Sequence, residues 1–406
     1  MSQQYSLSTR SQPSSHQQSQ SSSQSLSQSH SQSQELPRYF ANDAPLSRRD
    51  PHKQLVSCLD HIVTAFPPDS VSPSGGFYTG AISIAYLFFT LQEFYSDLEI
   101  QGIKLGTWCA VYLKTAQDAF RTFRPPTPSH CGITSDILTL LALGAASSKD
   151  PDMVEELCDY VEVVVDDGAS DEWLYGRAGY LYLLRLARAS FADDEATLKL
   201  IDEVADEVIE VMLASPRPFK WHGKAYVGAA HGVVGILTQI VLTQPSLAPQ
   251  VEAELGALLS YQYESGNWPS SLPPGRDRLV QFCHGAPGVI TSLECIKGYF
   301  SSGMQGQISS AVAKGRDLVW NRGLLTKEPC LCHGISGNAL VLGEDKEVEH
   351  FLSYSTRSEI KAMDEDGMLE DSGDPDSLWC GEAGRAWAWA VVDKGLPRRF
   401  LGYNDI

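Results

Sequence analysis

The stretch CHGISG (residues 332–337) decides the fold, because six other segments of the chain repeat its form. They are YTGAIS (78–83), HCGITS (130–135), LYGRAG (174–179), AHGVVG (230–235), CHGAPG (283–288) and WCGEAG (379–384). The leading glycines are Gly80, Gly132, Gly176, Gly232, Gly285, Gly334 and Gly381, with successive spacings of 52, 44, 56, 53, 49 and 47 residues. A regular spacing of this size marks an architecture built from repeats. Three positions after each leading glycine stands a small residue: Ser83, Ser135, Gly179, Gly235, Gly288, Gly337 and Gly384. The two small positions lie about one helical turn apart, so neighbouring backbone can approach closely there.

Apolar runs follow the motifs. GYLYLLRLARA (179–189) and GVVGILTQIVL (232–242) are hydrophobic nearly all round, the pattern of helices buried on every side. Amphipathic stretches precede them, beginning at His52, Thr107, Pro151, Thr197, Val251, Gln307 and Lys346; these read as outer helices. Strand signals are weak throughout. The expectation is an all-α protein, an α/α toroid with seven inner and seven outer helices. An open solenoid fits a repeat of this length too, but both terminal repeats carry the full motif and neither looks like a polar cap.

Composition narrows the function. The chain has 406 residues, 43% of them hydrophobic, enough for a large core. Residues 2–35 are almost all Ser, Gln and His and cannot bury enough apolar surface to order themselves. The expected organisation is a disordered tail over residues 1–40 and a toroid domain over 41–406. The tail lacks the apolar segment of a secretion signal. No run of 18 apolar residues exists, so no integral membrane segment is expected. A net charge of -19 argues against nucleic acid as a partner, which needs a basic face. Nine cysteines without a small-scaffold spacing suit a reducing compartment, and the cytoplasm is the expected location.

If each motif starts an inner helix, seven helix N-termini meet at one mouth of the barrel. Backbone N–H groups and positive dipole ends then face a shared cavity. His231, Cys283, Cys332 and His333 project there from the fourth, fifth and sixth repeats. Two thiolates and an imidazole are the donor set zinc prefers, and three protein ligands leave a fourth position open, as catalytic zinc requires. Cys330 competes with Cys332, but Cys283 and Cys332 each stand two places before their leading glycine and Cys330 does not. His284 and His333 align with one another as well, so register alone leaves both open as ligands. The bland alternative, small core cysteines under a glycine turn, is weakened by two aligned Cys-His-Gly copies.

His231 stands one position before Gly232, at the same mouth, where it suits a general acid or base. Glu172, four residues before Gly176, is the candidate partner that would set its tautomer. It reads equally as a solvated loop carboxylate beside Asp171. Arg278 and Lys327 each stand five residues before an aligned cysteine, a pair suited to receiving an anionic substrate or simply to the solvated rim.

The segments WLYGRAGYLY (173–182), WHGKAYVGAAHGVVGI (221–236), LVQFCHGAPGVI (279–290) and CLCHGISGNAL (330–340) together resemble the signatures of the lanthionine synthetase C-like family, over all seven repeats. The tail and the ending WCGEAGRAWAWAVVDKG look eukaryotic, of a fungal kind. The resemblance implies a double-layered α/α toroid and a zinc ion (Zn2+) bound by Cys283, Cys332 and His333, with His284 beside the site. It also implies His231 as catalytic histidine, Glu172 as its acidic neighbour and Lys327 as a glutathione contact. Bacterial members use zinc to activate a cysteine thiol toward dehydroalanine or dehydrobutyrine. Eukaryotic members bind glutathione, and the implied reaction adds it to dehydroamino acids in proteins or peptides, forming a thioether. This chain departs from the family at Phe282, where Trp is usual, and at Cys380, where animal members have Glu.

Two other functions compete with this enzyme. One is a non-catalytic protein of the same fold that binds glutathione or another small ligand in signalling. The other is an α/α-toroid glycosidase or epimerase, which needs paired carboxylates at the mouth where these motifs offer cysteine and histidine.

Overall fold

A computed structural model of the chain describes residues 38–369 and 373–406. The expected disordered tail lies outside the described residues except for residues 38–40. There the Phe40 N–H donates to Leu324 O at 2.7 Å and the Thr326 N–H to Arg38 O at 3.1 Å.

The outer helices begin on capping residues and bury one stripe. In α1 (Pro51–Ala65) the Asp50 carboxylate accepts the Lys53 N–H and Pro51 occupies the first turn; Leu55, Cys58, Leu59, Ile62 and Val63 are buried. Those choices satisfy an otherwise orphaned N–H and preset the backbone. The remaining outer helices are α3 (Leu105–Ala119), α5 (Pro151–Asp159) with α6 (Val161–Val165), α8 (Glu195–Ala214), α10 (Ala248–Ser260), α12 (Ser302–Arg322), and α14 (Asp345–Ser353) with α15 (Arg357–Glu365). Two of them are broken where one amphipathic stretch is expected. The third outer helix is interrupted at Tyr160, and the seventh restarts at Thr356, whose hydroxyl caps the Glu359 N–H.

The inner helices are α2 (Gly80–Phe94), α4 (Asp136–Ser148), α7 (Arg177–Ser190), α9 (Val233–Thr243), α11 (Ala286–Ile296), α13 (Ile335–Ala339) and α16 (Glu382–Lys394). In α7 every residue from Arg177 to Ala187 is buried. The sixth inner helix is a stub of five residues. Each outer helix packs on the inner helix before it, α3 on α2, α8 on α7 and α12 on α11. By the same rule α1 packs on α16, and α16 packs on α2, which closes the ring. Among the described residues the only paired strands are two-residue pieces, β1 (Glu99–Ile100) with β2 (Ile103–Lys104) and β3 (Ala225–Tyr226) with β4 (Ser271–Leu272), both antiparallel. No described helix is long and apolar enough to cross a membrane.

Backbone hydrogen bonds tie motif to motif around the mouth. The Phe77 N–H donates to Ile133 O, Cys131 to Tyr175 O, Trp173 to Ala230 O, Cys283 to Cys332 O, Cys332 to Trp379 O and Trp379 back to Tyr78 O, all at 2.8–3.2 Å. Repeats four and five are joined instead by the β3–β4 pair and by Val227 N–H to Ser270 O at 3.1 Å. The motif glycines permit this crowding. A Cβ at Gly288 would lie 1.9 Å from Phe282 O, and one at Gly337 2.0 Å from Leu331 O. Gly285, at φ 113°, also takes a backbone conformation that other residues rarely adopt.

Residues 400–404 are buried inside the ring of helices. Phe400, Leu401 and Tyr403 have no exposure. Tyr403 O accepts from Gln239 and its hydroxyl meets Ser292; Asp405 accepts from Tyr86 and Tyr182; Gly402 O accepts the Trp173 indole N–H. Phe400 and Tyr403 pack on Trp173, Phe282 and Trp379 in an aromatic layer directly under the motif loops.

Candidate metal and acid–base site

The loops entering α11 and α13 carry Cys283, Cys332 and His333. Their Sγ and imidazole nitrogen atoms all lie within 4.8 Å of one another. Tetrahedral zinc with sulfur at about 2.3 Å needs donors roughly 3.8 Å apart, so this donor set fits the ion in chemistry and in span. Cys332 is buried and Cys283 half-buried. The Cys332 thiol, donating to Cys283, holds Cys283 below the usual thiol range. The Gln281 amide at 3.0 Å and the Lys327 charge act in the same direction. Cys332 is driven the opposite way by its partner and by burial. Cys330 is fully buried, its thiol pushed up mainly by burial, and it stands outside the cluster.

In the preceding repeats, the fourth and third, His231 Nδ1 lies 2.6 Å from Glu172 Oε2. Glu172 is 1% exposed. It also accepts the Leu174 N–H at 3.0 Å and the Tyr175 N–H at 2.5 Å. Oε2, already accepting the Leu174 N–H, turns its remaining lone pair to the imidazole, whose Nδ1 then carries the proton and whose Nε2 is left for chemistry. Trp221 lies flat on the His231 ring, centroids 4.0 Å apart and planes within 6°. His284 stands 6.1 Å away, centroid to centroid, and burial, aided by His231, lowers it to about 4. It is neutral at ordinary pH, and among the described residues its Nδ1 has no hydrogen-bond partner.

Of the two rim cations, Lys327 is half-buried and acts on Cys283, whereas Arg278 is exposed on the loop leading from β4 to the fifth motif. Three residues of the site escape the sequence reading. Gln281 and Trp221 lie within the quoted signature segments, but nothing in those segments points to a role for either. Tyr78 does carry one: it stands two positions before Gly80, the register of both cysteines, and its hydroxyl lies 3.0 Å from Cys332 Sγ.

A sequence profile described as "Lanthionine synthetase C-like protein" matches residues 72–349, more than half of the chain. The chain belongs to the lanthionine synthetase C-like family. Within it, the chain is similar to "Glutathione S-transferase LANCL1" of Danio rerio, at 35% identity over 184 residues, covering 42% of this chain and 45% of that protein. It is also similar to "LanC-like protein GCL1" of Arabidopsis thaliana, at 28% identity over 263 residues and 58% of each chain. The matches thus span about half the length of these curated relatives. Among solved structures, "Nisin cyclase" superposes with a TM-score of 0.59 at 15% identity, covering 86% of this chain and 95% of the other. That likeness establishes the α/α toroid shared by this lanthionine synthetase C-like chain.

Proposed function

We propose that this chain is a zinc-dependent enzyme of thiol addition, joining glutathione to dehydroalanine or dehydrobutyrine in proteins or peptides through a new thioether. The observation that carries the reading is a Cys283–Cys332–His333 donor set beside a His231–Glu172 dyad, the two linked through His284, next to Cys283 in the chain, whose ring lies 6.1 Å from that of His231. All nine cysteines are free thiols, which suits a cytoplasmic location.

Zinc held by the three ligands would supply the charge that keeps an incoming thiol ionised near neutral pH, the anion being the nucleophile. The residues around it account for the rest. Lys327, with Arg278 farther out, offers positive charge to the carboxylates of glutathione. The sulfur forms a bond to the β-carbon, the electron pair of the C=C bond moves toward the α-carbon and its carbonyl, and a proton must follow to the α-carbon. His231, protonated, delivers it from Nε2 while Glu172 retains the proton on Nδ1. The net change is addition of S–H across the double bond, with no oxidant and no leaving group.

The test incubates zinc-replete protein with glutathione and a dehydroalanine peptide and follows the adduct by mass. Adduct from wild type but from neither Cys332→Ala nor His231→Ala supports the assignment. No adduct above background from zinc-loaded wild type overturns it and leaves ligand binding as the role of the fold.

A further inference from the structure

Tyr78 occupies, in the first repeat, the register that Cys283 and Cys332 occupy in the fifth and sixth. The turns differ in backbone, with the leading glycine at φ 73° in the first repeat, 113° in the fifth and -120° in the sixth, yet Tyr78 meets Cys332. The phenol hydroxyl donates to Cys332 Sγ at 3.0 Å. Its ring lies parallel to Trp379, at 8° and 6.1 Å between centroids. The backbone ties the same residues together: the Trp379 N–H donates to Tyr78 O at 3.2 Å and the Cys332 N–H to Trp379 O at 2.9 Å. Tyr78 and Cys332 are thus two links of one hydrogen-bonded line.

We propose that Tyr78 is a positioning residue of the metal centre, whose hydrogen bond holds Cys332 Sγ in ligand orientation and withdraws electron density from that sulfur. The inference rests on the metal reading given under the proposed function. A hydrogen bond to an ionised sulfur is charge-assisted and stronger than a neutral one. Partners of metal ligands set ligand orientation and electronics, and their loss typically costs 10–100-fold in affinity or activity. A sulfur that donates less charge leaves a bound ion more positive toward an incoming thiol. Cys380 also takes a hydrogen bond from this hydroxyl, so the two sulfurs compete for one phenol proton; an ionised, metal-held Cys332 is the stronger acceptor, because a hydrogen bond to a charged group outweighs one to a neutral thiol.

The experiment compares full-length wild type and Tyr78→Phe, a change that removes one oxygen, loaded with cobalt(II) and then with zinc. Without the hydrogen bond the sulfur-to-cobalt charge-transfer band moves to longer wavelength, and zinc affinity, read by chelator competition, falls about tenfold. Neither readout depends on activity. An unmoved band with affinity within twofold of wild type overturns the role of Tyr78 and leaves the proposed function standing. Failure of wild type to take up either metal overturns both.

Discussion

Glu172 Oε2 and His231 Nδ1 are held 2.6 Å apart by two backbone N–H groups that the same carboxylate accepts, from Leu174 and Tyr175. The carboxylate is fixed by its own turn before it meets the histidine, so it acts as a rigid rest for the ring. Its replacement therefore has two separable consequences.

Glu172→Gln places an amide N–H against at least one of the N–H groups now donating to it. The variant is expected to lose about 10²-fold or more in kcat, within the range general acid–base catalysis contributes, while zinc content stays at one per chain. Steady-state rates and metal analysis on the same preparation check this. His231→Ala should match it in rate and exceed it in stability, because it leaves Glu172 with its backbone donors.

Trp221, stacked on His231 at 4.0 Å, should tolerate an aromatic replacement. Trp221→Phe is expected to keep kcat within about threefold, and Trp221→Ala to lower it about tenfold, in line with the worth of an aromatic pair. Equal rates for the two variants would show that the ring plays no part in holding the imidazole.

Metal stoichiometry separates the cysteines. Cys332→Ala should bind no zinc, whereas Cys330→Ala, two residues away and outside the cluster, should retain one zinc per chain with a modest loss of stability. Elemental analysis after dialysis against a chelator reads the difference.

Arg385 is 5% exposed and pairs with Glu328 and, at 3.5 Å, with Glu382, which is 1% exposed. Glu382 also meets His61. Removing the guanidinium strands buried carboxylates, so Arg385→Met should destabilise by about 3–5 kcal/mol. Adding Glu328→Gln should recover part of that loss. Urea unfolding of the single and double variants tests the coupling.

His350 gives a pH dependence far from the metal. Its Nδ1 accepts the Ser47 N–H at 3.1 Å, and its Nε2–H faces Asn42 Oδ1 at 2.9 Å, an amide fixed by its own bond to Trp320 O. The site fits neutral imidazole, and burial holds the group below its ordinary range. The unfolded chain therefore binds the extra proton first. The stabilisation is complete above about pH 6.5 and is lost as pH falls toward the folded value, at no more than about 1.4 kcal/mol per pH unit. His350→Gln should flatten the wild-type loss between pH 7 and pH 5.

Much of this was legible in the residues. The glycine register and the two kinds of apolar pattern specify seven inner and seven outer helices, because burial on all sides and burial on one stripe leave different periodicities. The same register brings Cys283 and Cys332 together. What stayed hidden depends on contacts without local signature. Tyr160 and Thr356 break outer helices whose charge pattern runs on unbroken. Trp221 reaches His231 from a loop outside the motif. The aromatic layer beneath the site needs Phe400 and Tyr403, which follow the last motif and lie in no repeat.

The pairing of α1 with α16 sets an order of events during synthesis. The apolar stripe of α1, with Leu55, Leu59 and Ile62, has its seat on a helix made roughly three hundred residues later, and at about 5–20 residues per second it waits tens of seconds for it. The segment that fills the centre of the ring emerges later still. A nascent chain of this architecture therefore carries an uncovered hydrophobic seam until α16 emerges, and its folding in the cell depends on whatever shields that seam in the interval.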